Sequence, residues 1–192
     1  MSEKQHPKAR YTLKKTIVMV GMMGAGKTAV GRGVAGRLGV PFLDSDAEIE
    51  AAANRTVPEI FARDGEAFFR ARESQVIARL LEEARGVLST GGGAFLAEGN
   101  RKNITARGVS VWLDADLDLL WQRVRHKDSR PLLRTNDPRA TLAEIYAARV
   151  PLYAMADVVV KSLPGLTIDQ MVDRVIAKLL VDRKDVLEAS DA

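Results

Sequence analysis

The sequence predicts an α/β fold built on a parallel sheet. Short β-branched runs alternate along the chain with segments whose apolar residues recur at helical spacing. The first such run leads through a glycine-rich loop directly into a helix. With 192 residues, 46% of them hydrophobic, the chain is long enough to bury one sizeable core and short for two independent domains, so one domain is expected.

Thr16–Val20 is the first core strand, and apolar residues at helical spacing over Lys27–Leu38 form the helix after the glycines. Residues 41–43 continue as a short strand that ends at Asp44-Ser45-Asp46, and residues 48–53 read as helix. The stretch 58–83 is mostly helical, broken near Asp64-Gly65. Residues 86–89, 109–113 and 157–161 are strand-like, with helical patterns at 98–106 and 116–126 between them. Thr167 followed by Gln170 signals a capping box for the last helix, whose Ile168, Met171, Val172, Val175, Ile176 and Leu179 share one face. Residues 1 to 12 and 184 to 192 read as loose tails around a core of 13–183. Segment 127–138, with two prolines among polar residues, is the expected mobile loop.

Composition narrows the function classes. Without cysteine there is no disulfide framework and no thiolate metal site, which suits a reducing compartment and makes the cytoplasm the expectation. The opening MSEKQHPKARYTLKK holds no apolar run of signal length, and later apolar stretches are broken by Gly, Lys or Asp, so no membrane association is expected. A net charge of +4 could suit nucleic acid, but the arginines are scattered and only 5% of residues are aromatic. An anionic small substrate accounts for the balance equally well.

Gly21-Met22-Met23-Gly24-Ala25-Gly26-Lys27-Thr28 satisfies GxxxxGK[ST] in the required place between strand and helix. A chance match in a chain this long is roughly 1% at average residue frequencies, before that context is counted. Here the backbone can wrap so that N–H groups and the helix N-terminus face phosphate oxygens. Lys27 adds a full charge, and the Thr28 hydroxyl suits Mg²⁺ bridging the β- and γ-phosphates. Gly24, Ala25, Gly26, Lys27, Thr28 and Ala29 are therefore the expected ATP contacts.

In open α/β sheets ligands lie at the carboxyl ends of the strands, where Asp44 and Asp46 fall. Asp44 is assigned to Mg²⁺, and Asp46 to the acceptor hydroxyl, whose proton it would take. The competing use of either aspartate is to cap the next helix; the phosphate loop upstream favours the site. Gly91-Gly92-Gly93 follows the strand ending near Ser89, where bare backbone lets a ligand approach closely, although a glycine triplet alone is a weak signal. Arg70 and Arg149 lie on helical segments, where spacing alone would make them solvated surface charge. Arg130 sits in the expected mobile loop, where an arginine could close over the γ-phosphate or simply face solvent.

Taken in order, GMMGAGKT, LDSD, FFRARE, STGGGA, SRPLL and ARVPLY resemble the shikimate kinases over roughly residues 15–180. That resemblance implies a three-layer α/β/α fold of the P-loop NTPase kind, with a five-stranded parallel sheet and a lid over the ATP site. It also implies ATP-dependent phosphorylation of the shikimate 3-hydroxyl, a step toward chorismate and the aromatic amino acids. By motif, Asp46 would be the base and contact the substrate hydroxyls, Arg70 and Arg149 would grip the carboxylate, and Gly92 would touch substrate through its backbone. A planar guanidinium suits that carboxylate. Arg130 would reach the ATP phosphates and act with Lys27 on the transferring group, Arg123 would lie against adenine, and the loop 162–166 would border the base. Ser45 departs from the Thr that the family commonly carries there, a change that should leave both carboxylates in place.

Three rivals remain at this point. A kinase for another hydroxy acid such as gluconate would share the phosphate loop but not the LDSD, Gly-triplet and arginine set. A regulatory nucleotide-binding module would have lost catalytic positions, and Lys27, Thr28, Asp44 and Asp46 are intact. A nucleic-acid ATPase lacks the concentrated basic patch it needs. A monomer acting on a small molecule is expected.

Overall fold

A computed structural model describes residues 10–126 and 131–190. Its centre is a five-stranded, all-parallel sheet made of β2 (Thr16–Val20), β3 (Phe42–Asp44), β4 (Val87–Ser89), β5 (Gly108–Ala115) and β6 (Val158–Ser162). The spatial order is β3-β4-β2-β5-β6. β2 sits in the middle, with Ile17 paired to Val87 on one side and Val109 on the other. All five of its residues are buried, because helices cover both faces of a parallel sheet.

The crossovers supply those helices. From β2 the chain passes through α1 (Lys27–Leu38) to the edge strand β3, then returns through α2 (Ser45–Ala53), α3 (Val57–Asp64) and α4 (Glu66–Glu83) to β4. Because the two excursions run in opposite directions along the sheet, right-handed connections put α1 and α4 on opposite faces. α5 (Glu98–Arg107) leads to β5, and α6 (Leu117–Val124) and α7 (Pro138–Tyr153) lead to β6. α8 (Ile168–Asp182) then packs on α1. Gly33 permits that contact: a Cβ there would lie 2.5 Å from Val172 Cγ2. The expected capping box holds α8, with Thr167 accepting from Gln170 N and Gln170 bonding back to Thr167 N. The same device at Thr56 and Glu59 starts α3.

The described residues near both ends, 10–12 and 184–190, differ from the loose tails expected. β1 (Arg10–Leu13) pairs antiparallel with β7 (Leu187–Ser190), Leu13 opposite Leu187, and Val186 and Leu187 are fully buried. The partners lie at opposite ends of the chain, so no local pattern announces the pairing. The expected mobile loop is also shorter at its far end: Pro131–Leu133 form a 3-10 turn, Asp137 accepts from Ala140 N as an N-cap, and Pro138 is the first residue of α7. Residues 127–130, Arg130 among them, lie outside the described residues. Among the described residues no helix is long and apolar enough to cross a membrane.

Candidate active site

β2 delivers the chain to Gly21, and the loop turns through positive φ at Gly21, Gly24 and Gly26 before α1 begins. At Gly24 a side chain is excluded twice over, since φ is +81° and a Cβ would meet Val124 Cγ1 of α6 at 2.7 Å. No side chain caps α1 and its first turn holds no acidic residue, so its N–H groups are left for an anion. Lys27 Nζ donates to the carbonyls of Gly21 (2.7 Å) and Met22 (3.0 Å), which folds the ammonium back over the loop.

A cavity of about 630 Å³ opens above this loop at the carboxyl ends of the strands. Its lining includes all six expected ATP contacts, Gly24, Ala25, Gly26, Lys27, Thr28 and Ala29, together with Asp44, Asp46, Gly92 and Arg123. Ser162, Leu166 and Met171 form a further, partly apolar part of the wall. Arg123 bridges the two parts, donating to the Gly24 carbonyl (3.1 Å) and the Ser162 hydroxyl (3.4 Å). Burial lowers its pKa.

The aspartates divide as two different chemistries. Asp44 Oδ1 accepts from Ala47 N at 3.0 Å, so Asp44 is an N-cap of α2 as well as a cavity residue. Asp46 Oδ1 is buried and has no hydrogen-bond partner among the described residues. Its pKa is pushed up to about 6, chiefly by burial and then by Asp44, with Lys27 opposing. Ser45 between them is buried, and both carboxylates still line the cavity. Among the described residues no group of three or more His, Asp or Glu could hold a metal unaided. Thr28 with Asp44 instead fits Mg²⁺, which is held by one or two carboxylates plus substrate phosphates and water.

The glycine triplet is a floor on which three missing side chains are replaced by functional groups. A Cβ on Gly91 would meet both Asp46 oxygens and Glu73 Oε2, one on Gly92 would lie 3.0 Å from Arg149 Nη1, and one on Gly93 would collide with the Arg70 guanidinium at 2.3 to 2.6 Å. Arg70 and Arg149 thus converge on Gly92 and Gly93 from α4 and α7, although neither lines the cavity itself. Arg70 is held by Glu73, whose Oε1 accepts from its Nη1 at 2.9 Å, and it stacks 5.3 Å from the Phe69 ring. Glu73, 1% exposed, was not singled out from the sequence. Its one signal was its place three residues after Arg70 on a helix. Tyr153 was likewise missed, and its hydroxyl donates to the Gly92 carbonyl at 2.5 Å.

Comparison with known proteins agrees along the whole chain. A family model described as shikimate kinase matches residues 23–180. A shikimate kinase of Ruegeria pomeroyi is 69% identical over 196 aligned positions, covering 99% of this chain and 100% of the relative. One of Cereibacter sphaeroides is 65% identical, covering 93% of this chain and 89% of its own. The solved structure of the shikimate kinase from Acinetobacter baumannii in complex with shikimate is similar at 37% identity and a TM-score of 0.83, over 88% of this chain and 95% of that one.

Proposed function

Since this chain belongs to the shikimate kinase family and phosphorylates shikimate with ATP, we propose how its residues divide that work. The observation that carries the assignment is Asp46 Oδ1, buried and without a hydrogen-bond partner among the described residues, on a carboxylate set between the phosphate loop and the glycine floor. Asp46 accepts the proton of the substrate's 3-hydroxyl as that oxygen attacks the γ-phosphorus in line. A carboxylate kept short of hydrogen bonds is a better proton acceptor than a fully solvated one.

The loop from Gly24 to Ala29 cradles the phosphates, and Lys27 exchanges its carbonyl partners for phosphate oxygens. Thr28 and Asp44 would hold Mg²⁺, which supplies positive charge to the β- and γ-phosphates. Arg123 and the wall at Leu166 take the adenine. Arg70 and Arg149, with the backbone of Gly92, hold the substrate carboxylate at the triplet. Arg130, outside the described residues, is assigned to the ATP phosphates, and closure of the loop ahead of α7 would exclude water. We further infer one kinase domain over the chain, a cytoplasmic monomer, and no nucleic-acid or membrane partner. A cysteine-free, scattered-charge composition supports that reading.

A coupled ADP-release assay with Mg-ATP tests the proposal, with shikimate and gluconate as alternative acceptors. Release that requires shikimate is expected. Release that is as fast with gluconate, or that ignores the acceptor, would reject it.

A further inference from the structure

Tyr153 belongs to the same site by geometry but to none of the roles above. It ends α7, is fully buried, and its ring packs 6.1 Å from that of Trp112. Its hydroxyl donates to the Gly92 carbonyl, and the missing Gly92 Cβ faces both Arg149 Nη1 (3.0 Å) and Tyr153 Oη (3.7 Å). Arg149 and Tyr153 are one helical turn apart, so both emerge from the same face of α7.

We propose that Tyr153 is a positioning residue for the substrate carboxylate, fixing the Gly92–Gly93 peptide against α7 so that glycine floor and Arg149 form one surface. The proposal rests on the assignment of Arg149 and Gly92 to that carboxylate. A peptide unit is planar, so anchoring the Gly92 oxygen also sets the direction of the Gly93 N–H. Two adjacent glycines have no side chains to hold that plane, and their backbone freedom would otherwise have to be lost on binding. The Arg70 guanidinium lies directly against Gly93, so the same plane also sets where the second arginine rests. Burial raises the phenol pKa, with Arg149 and Arg70 opposing, which keeps the hydroxyl protonated and a donor.

Y153F retains the ring on Trp112 and removes only the bond. In the ADP-release assay its KM for shikimate should rise about three- to tenfold, the equivalent of one neutral hydrogen bond, with the KM for ATP unchanged. In an R149A background the same substitution should add little further rise, because the surface it organises has already lost its cation. An unmoved shikimate KM, or a full independent rise on top of R149A, would overturn the role. Should Y153F prove less stable, Tm shifts separate the two explanations: loss of the shikimate-induced shift alone supports positioning, and loss of the ADP-induced shift as well overturns it. Wild-type enzyme that releases no ADP with shikimate would overturn the underlying site assignment, whereas an active wild type with an unmoved Y153F overturns only Tyr153.

Discussion

Asp46 and Glu73, from α2 and α4, turn carboxylate oxygens toward one point on Gly91. A Cβ at that point would lie 3.0 and 3.1 Å from the Asp46 oxygens and 3.3 Å from Glu73 Oε2. Asp46 Oδ1 and Glu73 Oε2 are both buried without a hydrogen-bond partner among the described residues, and burial raises the pKa of each. A side chain at position 91 would crowd both acidic groups.

Gly91→Ala therefore inserts a methyl group 3.0 and 3.1 Å from the oxygens of the proposed base, which must shift to make room. We expect kcat to fall at least about tenfold, as sub-ångström misplacement of a reacting group does. Nucleotide affinity, measured by ADP-induced Tm shift, should stay at the wild-type value, because Gly91 is not part of the phosphate loop. Wild-type kcat in this variant would mean that Asp46 does not need its present position.

Asp46→Asn separates activity from stability. As a base, Asp46 must be ionised, so kcat/KM should fall with decreasing pH below about 6, and the Asn variant should lose about 10²- to 10⁴-fold in kcat. For folding the sign is opposite. The folded pKa of about 6 lies above the ordinary aspartate value of 3.8, so between those values the folded state holds the proton that the unfolded state has released. Stability therefore drops as pH rises through that window, and at neutral pH the ionised carboxylate costs up to about 3 kcal/mol. Thermal unfolding without nucleotide or divalent cation should show Asp46→Asn with a higher Tm than wild type at pH 7.5 and a similar Tm near pH 4. A lower Tm at pH 7.5 would refute the desolvation argument.

Arg149→Ala should act on substrate binding. Losing a charge-assisted hydrogen bond to a carboxylate raises the KM for shikimate about 10- to 100-fold, with the KM for ATP unchanged. Arg149→Lys should recover only part of that loss, since an ammonium cannot offer the two parallel N–H groups of a guanidinium. Full recovery with Lys would show that charge alone is read at this position.

How far the site was legible follows from which contacts are local. The phosphate loop could be read because strand, glycines, Lys27 and Thr28 are consecutive. Asp44 and Asp46 could be placed by the strand end, yet the capping of α2 by Asp44 belonged equally to that pattern, and both uses are present. Glu73 was hidden because a carboxylate in a charged helix reads as surface, and its burial depends on Gly91 eighteen positions later in the chain. Tyr153 was hidden for the same reason: Tyr in an apolar stretch reads as core, and its hydrogen bond spans 61 residues. The β-branched core strands announced themselves, whereas β1 and β7, four residues each and at opposite ends, did not.

That last pairing gives a stability test far from the chemistry. Leu187 is fully buried and lies opposite Leu13, and neither β1 nor β7 contributes to the cavity lining. A side chain on a loose tail could be truncated at no cost. Leu187→Ala in a closed core should instead cost about 2 to 5 kcal/mol, seen as a clear fall in Tm. The kcat at a temperature where the variant remains folded should match wild type, because the loop, aspartates and glycine floor are borne by other elements. An unchanged Tm would mean that the ends of the chain do not pair in solution, and a lost kcat in the folded variant would mean that they support the site.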